Sequence, residues 1–527
     1  MWLLLIAATL YTCYFHNLGV LGLVGPDEPR YAWIARDMAE TGDWVTPRLY
    51  GKPWFEKPVL YYWGAALSFK WFGVGEASAR LPSALSALLA TLALGWLAWR
   101  LYGAETARWL LLFLPATVGM VGFSHAAATD MPFAAMLTIA MVCAYVVLNL
   151  LPTRGPMGPV IPLILFGSFL GLAVLAKGPA ALVLSGGAVL LWAAITKRWR
   201  DAFRCLHPLA IISFCLTALP WYVLCARRNP DFVRVFIIEH NLKRYLTPEF
   251  QHIQPFWFYL PVTLIAFLPW TLILIWGTVL GIRDLRESHK LSPATLLLLC
   301  WALFCLLFFS TSQSKLPGYA LPAIPAIGLL LARSYVRFSF QSETGLRWLL
   351  TSYAAVSLLV GVSLIAVGKA PRALIKPGGE ILLAVGCVVL AFGLANFSLT
   401  LKSRFVPATA FCVIPVLLLI LLFRPLSRPF LRWDSSGRTL AAELVAARIS
   451  QDQIYVAGIK RGQLYSLSFY LRREIEPWNQ GQTDPGYLLV RSRRCRDIVG
   501  PSMSCEDTPI ELGRSGWFAY RVQQKAQ

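Results

Sequence analysis

Read for hydropathy, the chain is a succession of apolar runs, and a helix of about 20 mostly apolar residues is long enough to cross a bilayer. Runs at 2–24, 82–101, 107–123, 131–151, 159–176, 178–196 and 207–225 are followed by runs at 256–281, 293–310, 320–338, 348–367, 379–400 and 405–423. Each is bounded by proline, glycine or charged residues, which interrupt helices, so the pattern predicts thirteen transmembrane helices. Two polar stretches, 25–81 and 226–255, are too long to be simple turns. The first should hold a helix over 29–40, for which Asp27 is placed as an N-cap, and an amphipathic segment over 59–72 lying in the membrane interface. Beyond about residue 430 the periods shorten: 437–449 and 464–471 read as helices, and 453–457, 486–491 and 516–522 as strands. The predicted fold class is an all-α polytopic membrane protein with a small C-terminal α/β domain. The membrane domain covers 1–429 and the α/β domain 430–527.

Composition removes the soluble alternatives. Of 527 residues 57% are hydrophobic and only 14% charged, against about 25% charged in soluble domains. The balance of 48 Lys and Arg against 27 Asp and Glu gives +21, which on a soluble protein would point to nucleic acid. Here the basic residues stand between apolar runs, so bilayer topology and anionic lipid explain them and no nucleic-acid partner is expected. Basic residues near span ends are retained in the cytoplasm. Arg100 and Arg108, Lys197 to Arg204, Arg283 to Lys290, Arg333 to Arg347, and Lys402 with Arg404 therefore mark one side. The loops at 25–81 and 226–255 and the tail fall on the other. The first run starts at Met1 without preceding basic residues or a following small-residue cleavage site, and reads as an uncleaved anchor. Of 11 cysteines, Cys495 and Cys505 lie in the exterior tail, where an even pair points to a disulfide, two unpaired thiols being the alternative.

Candidate chemistry gathers on the exterior side. Pro26-Asp27-Glu28-Pro29-Arg30-Tyr31 puts two adjacent acids at a membrane exit, and Phe55-Glu56-Lys57-Pro58 precedes Tyr61-Tyr62-Trp63. His125 and Asp130, Lys177, Glu239-His240 and Ser314-Lys315-Leu316-Pro317-Gly318-Tyr319 recur on the same face. Ion pairing, helix capping and snorkelling account for any of these alone; acids and lysines gathered at one face are what a site needs to hold a lipid phosphate and act on the sugar bond beside it. The tail shows no phosphate loop, catalytic triad or metal-ligand spacing and reads as a cap. The other class to weigh is a lipid or solute transporter, but such sites lie near the midplane, often in repeated halves, whereas these acids lie in exterior loops.

These stretches, with Thr129-Asp130-Met131-Pro132 and Leu175-Ala176-Lys177-Gly178-Pro179, resemble the lipid-linked-sugar glycosyltransferases of the protein O-mannosyltransferase superfamily, particularly the bacterial aminoarabinose branch that modifies lipid A. The resemblance covers roughly 1–425. It implies a GT-C fold in the bacterial inner membrane with the active site facing the periplasm. It also implies an inverting transfer from a polyprenyl-phosphate sugar donor to lipid A or another glycolipid or protein acceptor. Asp27 matches the acid at the reacting centre, with Glu28 beside it, and Asp130 a second acid in the site. Lys57, Lys315, Tyr319 and Lys177 match residues on the donor phosphate. Glu56 and His240 match positions that can bind zinc, the one candidate metal, since no motif demands a cofactor. Two ligands are fewer than the three or four of ordinary zinc sites.

Overall fold

The computed structural model describes residues 2–525 except 152–159, 248–252, 287–290, 370–378, 424–435, 450–451, 480–483, 492–494, 500–501 and 507. The chain is mainly helical, and a helix stands at every predicted run. Among the described residues, eight helices are long and apolar enough to cross a membrane, ten if two bent pairs each count as one span. Three shorter apolar helices, Trp2–Tyr14, Ala180–Thr196 and Phe405–Leu421, occupy the remaining predicted runs. The boundary expected at 429 and 430 lies outside the described residues.

The runs at 107–123 and 256–281 are not single straight spans. Ala104–Phe113 and Val118–Ser124 meet at 62°, and Phe256–Ala266 and Thr271–Arg283 at 119°. Pro115 and Pro269 stand in the two breaks; proline removes an amide hydrogen and clashes with the preceding turn. A broken helix in lipid must find other partners for its freed backbone groups, and each break finds them in the other. The Val118 amide donates to the Leu268 carbonyl at 2.9 Å, and the Trp270 indole donates to the Phe113 carbonyl at 2.8 Å.

The loop after the first span contains helices Asp27–Thr41 and Leu60–Phe72. The second buries Tyr61, Tyr62, Ala65 and Phe69 and leaves Trp71 and Phe72 exposed, as an interfacial helix should. Both helices share a buried apolar cluster with Trp221 and Cys225 of helix Pro208–Arg228 and with Phe469 of the tail.

The tail carries helices Arg438–Ala446 and Arg461–Leu471 and a six-stranded sheet. Ile454–Val456 lies between two parallel neighbours, Glu476–Pro477 and Gly486–Val490; Trp517–Gln524 then pairs antiparallel with Gly486–Val490, Met503–Cys505 and Ile510–Leu512. Strand alternation gives the sheet two apolar faces. Ile454, Val456 and Leu489 pack on the helices, while Tyr455, Leu488 and Val490 pack with Met503 and Val522 on the other side. The short strands at 476–477, 503–505 and 510–512 escape a hydropathy reading because each is only two or three residues long. Cys495 and Cys505 form a disulfide.

The tail grips the exit of the first span. Ser466 donates to the Leu23 carbonyl at 2.8 Å, and the Tyr470 hydroxyl accepts from the Leu23 amide at 3.0 Å and donates to Glu76 at 2.8 Å. Arg438 donates to the same carboxylate at 3.1 Å and to the Val20 carbonyl at 2.9 Å. Helix Arg461–Leu471 comes so near the chain that a Cβ on Gly462 would lie 2.7 Å from the Gly25 carbonyl carbon.

Candidate active site

Two adjacent acids open helix Asp27–Thr41, and the helical turn sends them to different surroundings. Asp27 is the first helical residue, not its N-cap; Pro26 takes that place and supplies no side-chain cap. The Asp27 carboxylate is half exposed and accepts from Arg30 at 2.5 Å. Arg30, buried itself, spends its other donors on Glu56 at 2.8 Å and on the Pro26 carbonyl at 2.7 Å. Its guanidinium lies 5.4 Å from the ring centres of both Trp54 and Tyr465, the latter from the tail. Burial opposes the charge on Arg30, but Glu56, Tyr31 and Asp27 outweigh it and raise its pKa above the ordinary value. Arg30 therefore keeps its positive charge at any physiological pH.

Glu28 points inward and is fully used. It takes two hydrogen bonds from Arg80, at 3.0 and 2.8 Å, and one each from the Val24 amide at 2.9 Å and the Ala127 amide at 2.8 Å. Arg80 is in turn bonded to the carbonyls of Leu18, Leu21 and Gly22. Glu28, expected among the reacting acids, is thus the centre of a buried clasp that joins the first span, the loop and the 125–129 turn. His125 has a similar part: its Nε2 lies 2.9 Å from the His16 carbonyl and its Nδ1 3.0 Å from that of Val121.

The second group forms around Asp130, the first residue of helix Asp130–Val147. Lys177, at the end of helix Val160–Lys177, reaches its carboxylate at 2.5 Å and stands 4.7 Å from the Tyr319 ring centre. Gly318 lets the 314–319 loop approach, since a Cβ there would be 2.8 Å from an Asp130 oxygen. Lys315 is buried and turned back on the Ser312 carbonyl at 2.6 Å, so it braces this loop. The two groups are neighbours: Glu28, next to Asp27, holds Ala127, three residues before Asp130, and three residues reach at most about 11 Å. Lys57, half-buried, follows Glu56 directly in the chain.

Among the described residues, four buried donors beside these groups have no hydrogen-bond partner: Trp54 Nε1, the Tyr62 hydroxyl, Thr129 Oγ1 and Ser314 Oγ. Such atoms are normally satisfied, and in this position they suit an oxygen-rich ligand. Burial first, and then Glu56, push the Tyr62 pKa well above the usual phenol value, which keeps its hydroxyl a neutral donor. Sequence reading passed over this set because an orphaned donor shows only in three dimensions. Arg80 could have been found, as an arginine at the exterior end of an apolar run. For zinc the donors do not fit. Glu56 is bonded to Arg30, His240 stands in segment Arg234–Lys243, and the described residues contain no group of three His, Cys, Asp or Glu able to hold a metal.

Residues 1–236 match the family described as dolichyl-phosphate-mannose-protein mannosyltransferase. The chain is 34% identical over 358 residues to the undecaprenyl phosphate-alpha-4-amino-4-deoxy-L-arabinose arabinosyl transferase of Enterobacter sp. (strain 638), covering 67% of this chain and 63% of the relative. It is 37% identical over 323 residues to arabinosyl transferase 2 of Sodalis glossinidius (strain morsitans), covering 61% and 57%. The matched stretch thus spans less than two thirds of either relative. In fold the likeness is nearly complete. The crystal structure of ArnT from Cupriavidus metallidurans bound to undecaprenyl phosphate superposes with a TM-score of 0.81 at 23% identity, over 99% of this chain and 98% of that one. Its apo form gives 0.79 at 24% identity. The chain thus resembles the dolichyl-phosphate-mannose-protein mannosyltransferase family over its first 236 residues and the named arabinosyl transferases over about two thirds of its length, and it has the fold of the Cupriavidus metallidurans protein over almost all of it.

Proposed function

We propose that the protein is a glycosyltransferase that moves a sugar from a polyprenyl-phosphate donor to lipid A or a similar envelope acceptor on the periplasmic face of the inner membrane. The observation that carries this reading is the pair of groups Asp27–Arg30–Glu56 and Asp130–Lys177–Tyr319, linked through the Glu28 bond to the Ala127 amide, in a chain similar to relatives named for undecaprenyl-phosphate aminoarabinose. The membrane unit, 1–429, would carry the reaction and the tail, 430–527, would cover it.

In this reading Arg30 fixes the Asp27 carboxylate at the reacting centre. With a hydroxyl acceptor, its oxygen bonds to the anomeric carbon, the bond from that carbon to the phosphate oxygen breaks, and Asp27 takes the hydroxyl proton. The configuration inverts in one displacement. With a phosphate acceptor the nucleophile is already anionic, and Asp27 orients it. Lys57 and Lys177 neutralise charge on the departing polyprenyl phosphate, Tyr319 and the unpartnered donors hold its oxygens, and Lys315 supports the loop that presents Tyr319. Glu28 holds the scaffold and takes no proton.

The test is mass spectrometry of lipid A and envelope glycans from cells with and without the gene, and with Asp27→Asn in its place. A pentose or hexose present only with the active gene is expected, and Asp27→Asn should lower transfer about 100-fold or more, the scale of a lost acid or base. Unchanged glycans in all three strains would refute the transferase.

A further inference from the structure

The carboxyl ends of the tail's three parallel strands face one space. Residues 457–459 after Ile454–Val456, Pro477 and Trp478 at the end of Glu476–Pro477, and Asp497 and Ile498 beyond Gly486–Val490 surround a cavity of about 770 Å³. Small-molecule sites usually occupy about 300–1,000 Å³. Ligands of parallel α/β sheets bind outside the carboxyl ends of the strands, where the strand order reverses. Here the chain leaves Ile454–Val456, returns through helix Arg461–Leu471 to its neighbour on one side, and then crosses to the other side to form Gly486–Val490.

The lining sets the chemistry. Tyr50, Tyr465 and Trp478 supply aromatic faces, and Arg461, Glu474 and Asp497 supply charged donors and acceptors. Two carboxylates against one guanidinium are wrong for a polyphosphate. Flat apolar faces combined with a few forked polar groups suit a sugar ring, which has an apolar C–H face and hydroxyls at its edge. The position supplies the rest. Tyr465 is the wall shared with the candidate active site, with its ring centre 5.4 Å from Arg30, the residue that holds Asp27. Tyr50 stacks with Tyr465, the ring centres 6.4 Å apart. A polyprenyl donor has to be presented from the bilayer, whereas the cavity belongs chiefly to the tail, in which no described helix is long and apolar enough to cross a membrane.

Building on the transfer reaction above, we propose that this cavity binds a sugar ring of the acceptor and presents its nucleophilic oxygen past Tyr465 toward Asp27. Full-length protein in lipid nanodiscs tests this in two ways. The first is transfer from undecaprenyl-phosphate aminoarabinose to lipid A, with donor and acceptor varied separately. The second is saturation-transfer NMR with the deacylated glucosamine disaccharide of lipid A as probe. The double variant Arg461→Gln, Glu474→Gln changes two exposed side chains, and Asp497→Asn provides an independent second variant. The acceptor KM should rise about tenfold in the double variant, the scale of one or two lost hydrogen bonds, while kcat and the donor KM stay the same and the probe signal weakens in step. An unchanged acceptor KM with undiminished probe signal would overturn the proposal, as would a rise confined to the donor KM. If wild-type protein transfers nothing but binds the probe in a way the variants weaken, the transfer reaction fails and the sugar site stands.

Discussion

Asp27 and Glu28 are neighbours in sequence with opposite employments, and mutation separates them. Asp27 is half exposed and tied only at its edge to Arg30, so Asp27→Asn keeps an acceptor for the guanidinium and should leave the melting midpoint in detergent unchanged while transfer is lost. Glu28 is buried against buried Arg80. Removing one member of such a pair strands the other and costs about 3–5 kcal/mol, so Glu28→Ala should lower the melting midpoint or the yield of inserted protein. A stable, inactive Glu28→Ala protein would show that Glu28 is a reacting acid after all. The two acids and their nearness to Arg30 were legible in the sequence, but which of them is spent on structure was not. That depends on Arg80, 52 residues away, and on amides whose direction only the fold determines.

At the scale of elements, two close approaches without side chains set the site. Gly318→Ala would push a methyl group into Asp130 and Phe123; overpacking of this kind costs about 1–3 kcal/mol. It should cut transfer at least tenfold by displacing the Asp130–Lys177 pair, with helix content by circular dichroism preserved. Gly462→Ala would meet the Gly25 backbone, which cannot move aside as a flexible side chain can. It should loosen the tail, and faster proteolytic release of an intact tail fragment than in wild type is the measurement. Equal release rates would show that the contact is slack. Hydropathy located most of these elements within a few residues, since apolar runs of this length have few alternatives in a membrane protein, but the run at 2–24 holds a helix that ends at Tyr14. It missed the bends because a proline in an apolar run is compatible with a straight span, and only the partner break explains why these two are sharp.

For the whole molecule, the alternation of basic loops sets direction. The thirteen crossings expected from hydropathy would put the tail opposite the basic loops expected in the cytoplasm. A phosphatase active only outside the cytoplasm should therefore be active when joined after Gln527 and inactive after Trp199; the reverse pattern would move the candidate site to the wrong face for a lipid-linked sugar. The residues of the tail that close over the site were the least legible. Tyr465 and Tyr470 read as apolar positions of an ordinary helix, and their contacts with Arg30 and Glu76 cross more than 390 residues of chain.

The paired breaks also have a bearing on biosynthesis. Phe113 waits for Trp270, 157 residues later, and ribosomes add about 5–20 residues per second. For roughly 8–30 seconds the Phe113 carbonyl and the Val118 amide have no permanent partners, although hydrocarbon tolerates few unsatisfied backbone groups. The first bent pair is therefore expected to stay at the translocon or near water until the second is made, and the two to enter the lipid together.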